Sequence, residues 1–191
     1  MANATEEKSV KKPHVSYKGM YHYIGQAWKK PDTATLRNRM TEWRKSDSLT
    51  KVEKPLRLDR ARALGYKAKK GFVVIRVKLK RGGHKRPRPN KGRRSKRMHT
   101  NKNLVMNYRG IAEQRVAKKY RNLEVLNSYQ IGKDGVNYFF EVIAVDTQRP
   151  EIKNDRTINW IAKKENRRRA LRGLTSAAKK SRGLRHRQKL N

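Results

Sequence analysis

Residues 123–145, LEVLNSYQIGKDGVNYFFEVIAV, decide the fold of this chain of 191 residues. Two runs rich in β-branched and aromatic residues, 123–131 and 136–145, flank the segment GKDG at 132–135. Strand-forming runs joined by a short segment of glycine and aspartate are typical of a β-hairpin. The stretch therefore predicts two antiparallel strands with a tight turn between them.

A further strand and a helix are predicted upstream of the hairpin. Residues 72–80, FVVIRVKLK, alternate between apolar and basic side chains, and residues 103–120 carry apolar side chains at helical spacing. On the strand, the apolar set is Val73, Ile75, Val77 and Leu79, and the basic set is Arg76, Lys78 and Lys80. We expect the apolar face to join the core and the basic face to meet a polyanion. The order strand, helix, strand, strand predicts an α+β fold, a small antiparallel β-sheet packed with helices.

The charge of the chain is large and unevenly distributed. There are 52 Lys plus Arg against 15 Asp plus Glu, a formal net charge of +37. Residues 121–160 contain five basic and six acidic residues, a net charge of −1, so the other 151 residues carry +38. This charge repels itself and is only partly screened at physiological salt, where the Debye length is about 8 Å. We therefore expect a polyanionic partner.

Composition also excludes several classes of protein. Without cysteine there is no disulfide scaffold and no thiolate metal site, and the five histidines form no ligand pair at useful spacing. No run approaches the roughly 18 apolar residues of a membrane span, and the N-terminal segment lacks the apolar region of a signal peptide. The expectation is a soluble, intracellular protein without metal or cofactor.

Two aromatic stripes near the N-terminus predict helices. Tyr17, Tyr21, Ile24 and Trp28 form the first stripe, and Leu36, Met40 and Trp43 repeat its spacing after Asp32, a candidate N-cap. We expect both stripes to pack on the domain, because packing requires helical periodicity. Stacking of these rings on unpaired bases is the alternative.

Three segments concentrate the basic residues. Residues 78–97 hold 11 Lys or Arg in 20 positions and no acid, and residues 163–191 hold 12 Lys or Arg and one acid. Residues 55–71 predict a cationic helical turn that ends at Gly65. In the tail, Thr175 or Ser176 is a candidate cap for a short helix that Gly183 terminates. The alternatives are a solvated charged loop and a disordered tail without fixed partner geometry.

Nucleic-acid phosphates are the expected partner of these segments, since arginine suits bidentate phosphate contacts and lysine looser ones. Asp59 is expected to pair with a neighbouring arginine. The predicted nucleic-acid-binding residues, which the resemblance described below implies to be RNA-binding, are Arg57, Arg60, Arg62, Lys67, Lys69, Lys70, Arg76, Lys78, Lys80, Arg81, His84, Lys85, Arg86, Arg88, Lys91, Arg93, Arg94, Lys96, Arg97, Arg167, Arg168, Arg169, Arg172, Lys179, Lys180, Arg182 and Arg185.

The sequence offers no convincing catalytic constellation. Glu141, Asp146 and Asp155 are candidate Mg²⁺ ligands of a nuclease, but Glu141 lies among apolar neighbours in a predicted strand and the other two lie near turns. Gly82 and Gly83 lack the spacing and the Gly-Lys-Ser/Thr ending of a phosphate-binding loop. Structural roles are expected for all three carboxylates, and the chain is predicted not to be an enzyme.

Several motifs, in the same order along the chain, are similar to a known family. They are MYHYI at 20–24, RLDRARALGYKAK at 57–69, GGHKRP at 82–87, NLEVLNSY at 122–129, FEVI at 140–143 and RGLTSA at 172–177. The chain resembles the archaeal and eukaryotic large-subunit ribosomal protein fifteen-e, and the rest of it suggests an archaeal member. The similarity covers about 19–184, so contacts made by the termini are unassigned.

The resemblance implies a structural protein of the large ribosomal subunit that is located in the cytoplasm, in the ribosome. Its partners would be large-subunit ribosomal RNA and neighbouring large-subunit ribosomal proteins, with no membrane and no small-molecule substrate. We expect an N-terminal extension over 1–18, a single RNA-binding domain over 19–162 that includes the basic loop 81–100, and a basic C-terminal extension over 163–191. A DNA-compacting chromatin protein is the alternative that charge and size allow, although no groove-binding element is visible in the sequence.

Overall fold

A four-stranded antiparallel sheet forms the centre of the molecule. The computed structural model describes residues 18–85, 92 and 101–185. In chain order the elements are α1 (Met20–Ala27), α2 (Thr33–Lys45), β1 (Leu49–Val52), α3 (Leu58–Ala63), β2 (Phe72–Lys80), β3 (His84–Lys85), β4 (Asn101–Lys102), α4 (Tyr108–Lys119), β5 (Leu123–Lys133), β6 (Asn137–Asp146), α5 (Pro150–Lys153), two 3₁₀ turns (Asn159–Ala162 and Lys164–Asn166) and α6 (Ser176–Ser181).

The strand order in the sheet is β1-β2-β6-β5. β6 pairs antiparallel with β2 on one side, from Phe72 opposite Val145 to Lys80 opposite Asn137, and with β5 on the other. β2 and β5 are consequently parallel to each other, and such a pair needs a crossover, which α4 provides. The predicted α+β fold with a strand, helix, strand, strand core is confirmed. The edge strand β1, only four residues long, was not predicted.

The hairpin turn begins two residues later than the sequence predicts. β5 continues through Gly132 to Lys133, and the turn is made by residues 134–136. There the Asp134 carboxylate accepts hydrogen bonds from the backbone amides of Val136, at 2.8 Å, and Asn137. Gly132 belongs to the strand and pairs with Phe139, and a Cβ at this position would lie 3.3 Å from the Trp43 indole.

Apolar side chains cover both faces of the sheet. The face toward α4 carries the predicted set from β2, which packs against Ala112 and Val116 of α4 and Phe140 and Val142 of β6. The other face carries Val74, Phe139 and Ile143 and is covered by Trp43 of α2 together with residues 152–161. The prediction that this second face is open to a polyanion is therefore wrong along most of β2, because strand alternation does not show which elements return to cover a face.

The N-terminal helices agree in part with the predicted stripes. Asp32 caps α2, its carboxylate accepting from the backbone amide of Thr35 at 2.9 Å, and the stripe on α2 packs into the core as expected. On α1, Ile24 and Trp28 are half-buried, but Tyr21 is exposed. Packing therefore accounts for only part of the first stripe, and Tyr17 lies outside the described residues.

Residues beyond the hairpin return to the domain. Ile152, Ile158 and Ile161 are buried against one face of the sheet, and Ala170 is buried against the other. In the part of the chain that the structure describes, no helix combines the length and apolarity needed to cross a membrane.

Candidate nucleic-acid interface

The arginine segment after β1 forms a short helix that presents Arg60 and Arg62 to solvent. α3 ends as predicted near Gly65, whose φ of +96° favours glycine. Arg57 behaves differently, since its Nη2 lies 3.2 Å from an Asp59 carboxylate oxygen and its guanidinium stacks on Trp28 at 5.1 Å. The predicted pairing of Asp59 is confirmed. Arg57 holds α3 against α1, while Arg60 and Arg62 are exposed.

A lysine cluster follows α3. Lys69 Nζ binds the Asp155 carboxylate and the Glu151 carbonyl at 3.1 Å, and Lys67 Nζ lies 2.8 Å from Thr157 Oγ1 and 3.5 Å from Asp155. These hydrogen bonds and charges, the one from Lys69 foremost, hold the pKa of Asp155 well below its usual range. The cluster joins the α3 segment to the segment after β6.

Of the three predicted cations on β2, the one at the C-terminal end of the strand is exposed. Burial lowers the pKa of Arg76, whose guanidinium lies 5.5 Å above the Trp43 ring, and Lys78 Nζ donates to the carbonyls of Arg44 and Ser46 at 2.7 and 2.8 Å. Lys80 is exposed. Arg81 donates to the Asp134 carbonyl at 2.7 Å and stacks on Tyr138 at 5.2 Å, and it is exposed to solvent as well.

A stem of two short strands, which follows the C-terminal end of β2, connects the basic loop to the domain. β3 and β4 pair antiparallel, with His84 opposite Lys102 and Lys85 opposite Asn101. The stem follows directly on β2 and precedes α4, so the loop leaves the domain beside Lys80 and Arg81. The loop candidates that lie outside the described residues are Arg86, Arg88, Lys91, Arg93, Arg94, Lys96 and Arg97.

Arg169 belongs to the core of the domain and is not displayed on its surface. Its Nη1 donates to the carbonyls of Val125 and Leu126 at 2.8 and 2.7 Å, and its guanidinium stacks on Trp160 at 5.1 Å. Burial lowers the pKa of Arg169. The two neighbouring candidates, Arg167 and Arg168, are exposed.

Two residues of α4 that sequence reasoning missed connect this helix to its neighbours, and one of them, Glu113, reaches the start of α6. Glu113 of α4 is 1% exposed, and its two carboxylate oxygens accept from the hydroxyls of Ser128 and Thr175, both at 2.5 Å. Arg109 donates to the Ser128 carbonyl at 2.5 Å and the Asn127 side chain at 3.0 Å, where a bulge interrupts the β5 ladder. The sequence does contain a signal for Glu113, because this acidic residue follows Ala112 on the apolar side of the predicted helix.

The same threonine begins α6. Thr175 Oγ1 accepts from the Ala178 amide at 3.3 Å, and Gly183 has a φ of +73° just after the helix, as predicted. The helix thus displays an exposed basic group fixed to the domain. Two arginines that follow the helix also make hydrogen bonds within the segment, Arg182 to the Gly173 carbonyl at 2.6 Å and Arg185 to Ser176 Oγ at 2.7 Å.

Apart from His84 and Lys85 of the stem, the predicted cations of the described residues therefore divide into two groups. Five are half-buried and hold elements of the fold together: Arg57, Lys69, Arg76, Lys78 and Arg169. Those exposed to solvent, which we call the exposed basic set, are Arg60, Arg62, Lys67, Lys70, Lys80, Arg81, Arg167, Arg168, Arg172, Lys179, Lys180, Arg182 and Arg185.

The three carboxylates considered for a nuclease all have structural partners. Glu141 is buried and accepts from the Leu56 amide at 3.1 Å and the Tyr129 hydroxyl, Asp146 lies 3.6 Å from Arg149 Nε, and Asp155 binds the lysine cluster. Burial raises the pKa of Glu141 even though these donors oppose it. Residues 18–85, 92 and 101–185 contain no group of three or more His, Asp or Glu placed to hold a metal ion.

Comparison with known proteins identifies the family. A family model described as Ribosomal L15 matches residues 19–191. The chain belongs to the L15e family of ribosomal proteins. The large ribosomal subunit protein eL15 of Methanospirillum hungatei is 51% identical over 177 residues, which are 90% of this chain and 90% of that protein.

Membership of the L15e family confirms the resemblance seen in the sequence motifs. The family is one of ribosomal structural proteins and not of enzymes, so the prediction of a non-enzymatic protein is confirmed as well. The match begins at residue 19 and so includes every helix and strand that the structure describes, together with the whole exposed basic set.

Proposed function

We propose that this L15e protein is a structural constituent of the large ribosomal subunit that binds and stabilises folded large-subunit ribosomal RNA. The related protein from Methanospirillum hungatei is named as a large-subunit protein, which supports this assignment and a location in ribosomes of the cytoplasm. Large-subunit RNA and adjacent ribosomal proteins would be its partners.

The division of the cations carries the proposal. Asp59, Asp134, Asp146 and Asp155 are already engaged by Arg57, Arg44, Arg149 and the lysine cluster. Among the described residues, Lys67 is the only member of the exposed basic set that pairs with a carboxylate, that of Asp155, and 15 acidic residues cannot neutralise a chain of net charge +37. RNA phosphates would supply the negative charge, and release of their counterions would contribute much of the binding free energy.

Contacts to phosphate and sugar would dominate the interface. Double-stranded RNA is recognised mainly by its shape and its backbone, because its deep and narrow major groove hides the base edges. α3, the C-terminal end of β2 with the basic loop that follows it, and α6 would each contact RNA, and the sheet would fix the distances among them. Residues 163–191 would act as a basic extension whose first part, through residue 185, is seated on the domain.

Binding to transcribed archaeal large-subunit RNA, measured over a range of salt concentrations, tests this function. Replacing Lys179 and Lys180 by glutamine should weaken binding and reduce the slope of log affinity against log salt by roughly one for each phosphate that the variant no longer neutralises. Lys133 and Lys153 are exposed in the neutral stretch, so the pair Lys133→Gln and Lys153→Gln is the matched control and should bind like wild type. Equal effects of the two pairs would contradict the proposed interface.

A further inference from the structure

The first turn of α1 exposes three large apolar side chains. Met20 is 59% exposed, Tyr21 43% and Tyr23 60%, whereas Trp43, in the corresponding stripe of α2, is 4% exposed. The two tyrosines are the only aromatic residues among the exposed large hydrophobic side chains of the described residues. Packing among the described residues does not account for their exposure.

Residues of α1 other than the two tyrosines attach this helix to the domain. The helix packs on α3, where Gly25 faces Asp59, and a Cβ at that glycine would lie 3.7 Å from the carboxylate. Trp28 receives the Arg57 guanidinium from α3. These contacts fix α1 to the domain through its second half, and Tyr21 and Tyr23 stay in solvent on a supported helix.

The surroundings of the two tyrosines are cationic. Lys18, Lys29 and Lys30 flank α1 and are exposed, and no acidic residue occurs between residues 18 and 31. The next acid, Asp32, has its carboxylate engaged in the cap of α2. Exposed rings on a helix flanked by lysines match a ligand that combines flat apolar faces with negative charge, which is the chemistry of unpaired nucleotides, and the nearby Asp59 carboxylate is already paired with Arg57.

We propose that Tyr21 and Tyr23 are stacking platforms for unpaired bases of RNA, with Lys18, Lys29 and Lys30 placed to contact the adjoining phosphates. This proposal rests on the proposed function and adds single-stranded RNA to the backbone contacts of the exposed basic set. Residues two apart on an α-helix project about 200° from each other, so the two rings would hold different bases.

Paired substitutions test the proposal on the full chain with the same large-subunit RNA transcript. Tyr21→Leu and Tyr23→Leu keep an apolar side chain but remove the ring, and each should weaken binding about 5- to 150-fold. Neither should change the salt dependence, because the charge of the protein is unchanged. Tyr21→Phe and Tyr23→Phe keep the ring and should bind within about twofold of wild type. Thermal unfolding of each variant verifies that the fold is retained, as expected for exposed positions.

Wild-type affinity of both leucine variants would overturn the stacking proposal. If the Lys179→Gln and Lys180→Gln pair still weakens binding, that failure concerns stacking alone, and if neither set has an effect the proposed function fails too. A photo-reactive p-benzoylphenylalanine at position 23 in purified large subunits gives an independent result. Crosslinking to RNA would support the proposal, and crosslinking to a ribosomal protein would contradict it.

Discussion

The Thr175 hydroxyl donates a 2.5 Å hydrogen bond to the buried carboxylate of Glu113. This bond joins the start of α6 to the middle of α4, and through Ser128 it extends to β5. The basic residues of the C-terminal segment are consequently carried on a helix with a fixed position relative to the sheet. A buried carboxylate that loses one of its donors is strongly destabilising, which makes the junction open to a direct test.

Replacing Thr175 by valine should destabilise the protein by about 1 to 3 kcal/mol, because one carboxylate oxygen of Glu113 loses its donor and α6 loses its cap. Thr175→Ser retains the hydroxyl and should stay close to wild type. Urea unfolding measures the free energy, and hydrogen exchange of the α6 amides should accelerate in the valine variant. Slow exchange in α6 of Thr175→Val would show that the junction does not hold the helix.

The Tyr129 hydroxyl has a similar role on the other face of the sheet, where it donates to the buried Glu141. Burial and the negative charge of Glu141 raise the pKa of Tyr129, so its hydroxyl remains a donor. We expect Tyr129→Phe to cost about 1 to 3 kcal/mol in urea unfolding. Tyr120→Phe is the control, since that hydroxyl makes no hydrogen bond among the described residues, and it should have a smaller effect.

The lysine cluster should give a defined pH dependence. Since the folded protein holds the pKa of Asp155 below its unfolded value, the ionised carboxylate stabilises the fold above about pH 4, and this contribution is lost as the pH falls through the folded pKa. Wild type should therefore be more stable than Asp155→Asn at pH 6, and the difference should shrink steadily below pH of about 4. A difference that is the same at both ends of the range would exclude a charge effect.

The basic loop should be separable from folding. The β3 and β4 stem can be closed by replacing residues 86–100 with a two-residue Asn-Gly turn, which suits a hairpin. The described core contains none of these residues, so cooperative unfolding should persist, while RNA binding weakens and its salt dependence flattens. Loss of the cooperative transition would mean that the loop contributes to the core.

Sequence periodicity predicted the centre of the fold well because burial itself imposes it. Apolar residues occur at every second position of one face of β2 and at every third or fourth position of α4, because these two apolar faces pack against each other. β1 escaped prediction because its four residues, LTKV, are too few to show a pattern. The cover of α2 over the second face escaped prediction for another reason, because it depends on where the chain returns in space.

The candidate site shows the same limit. Charge density predicted the binding segments, but it could not separate Arg169, which donates to β5 carbonyls, from its exposed neighbours Arg167 and Arg168. Only the hydrogen bonds of the folded chain distinguish a structural cation from a displayed one. The RNA contacts predicted for these segments, including those of residues 86–97 outside the described part of the chain, stay predictions.

Sedimentation of the protein from an archaeal cell lysate tests the central claim most directly. A tagged copy should travel with large ribosomal subunits on a sucrose gradient and remain with them after a wash at moderate salt, because many phosphate contacts act together. The Lys179→Gln and Lys180→Gln pair should be released at lower salt than wild type. Recovery of the wild-type protein in equal amounts from the nucleoid fraction, or free at the top of the gradient, would contradict the assignment.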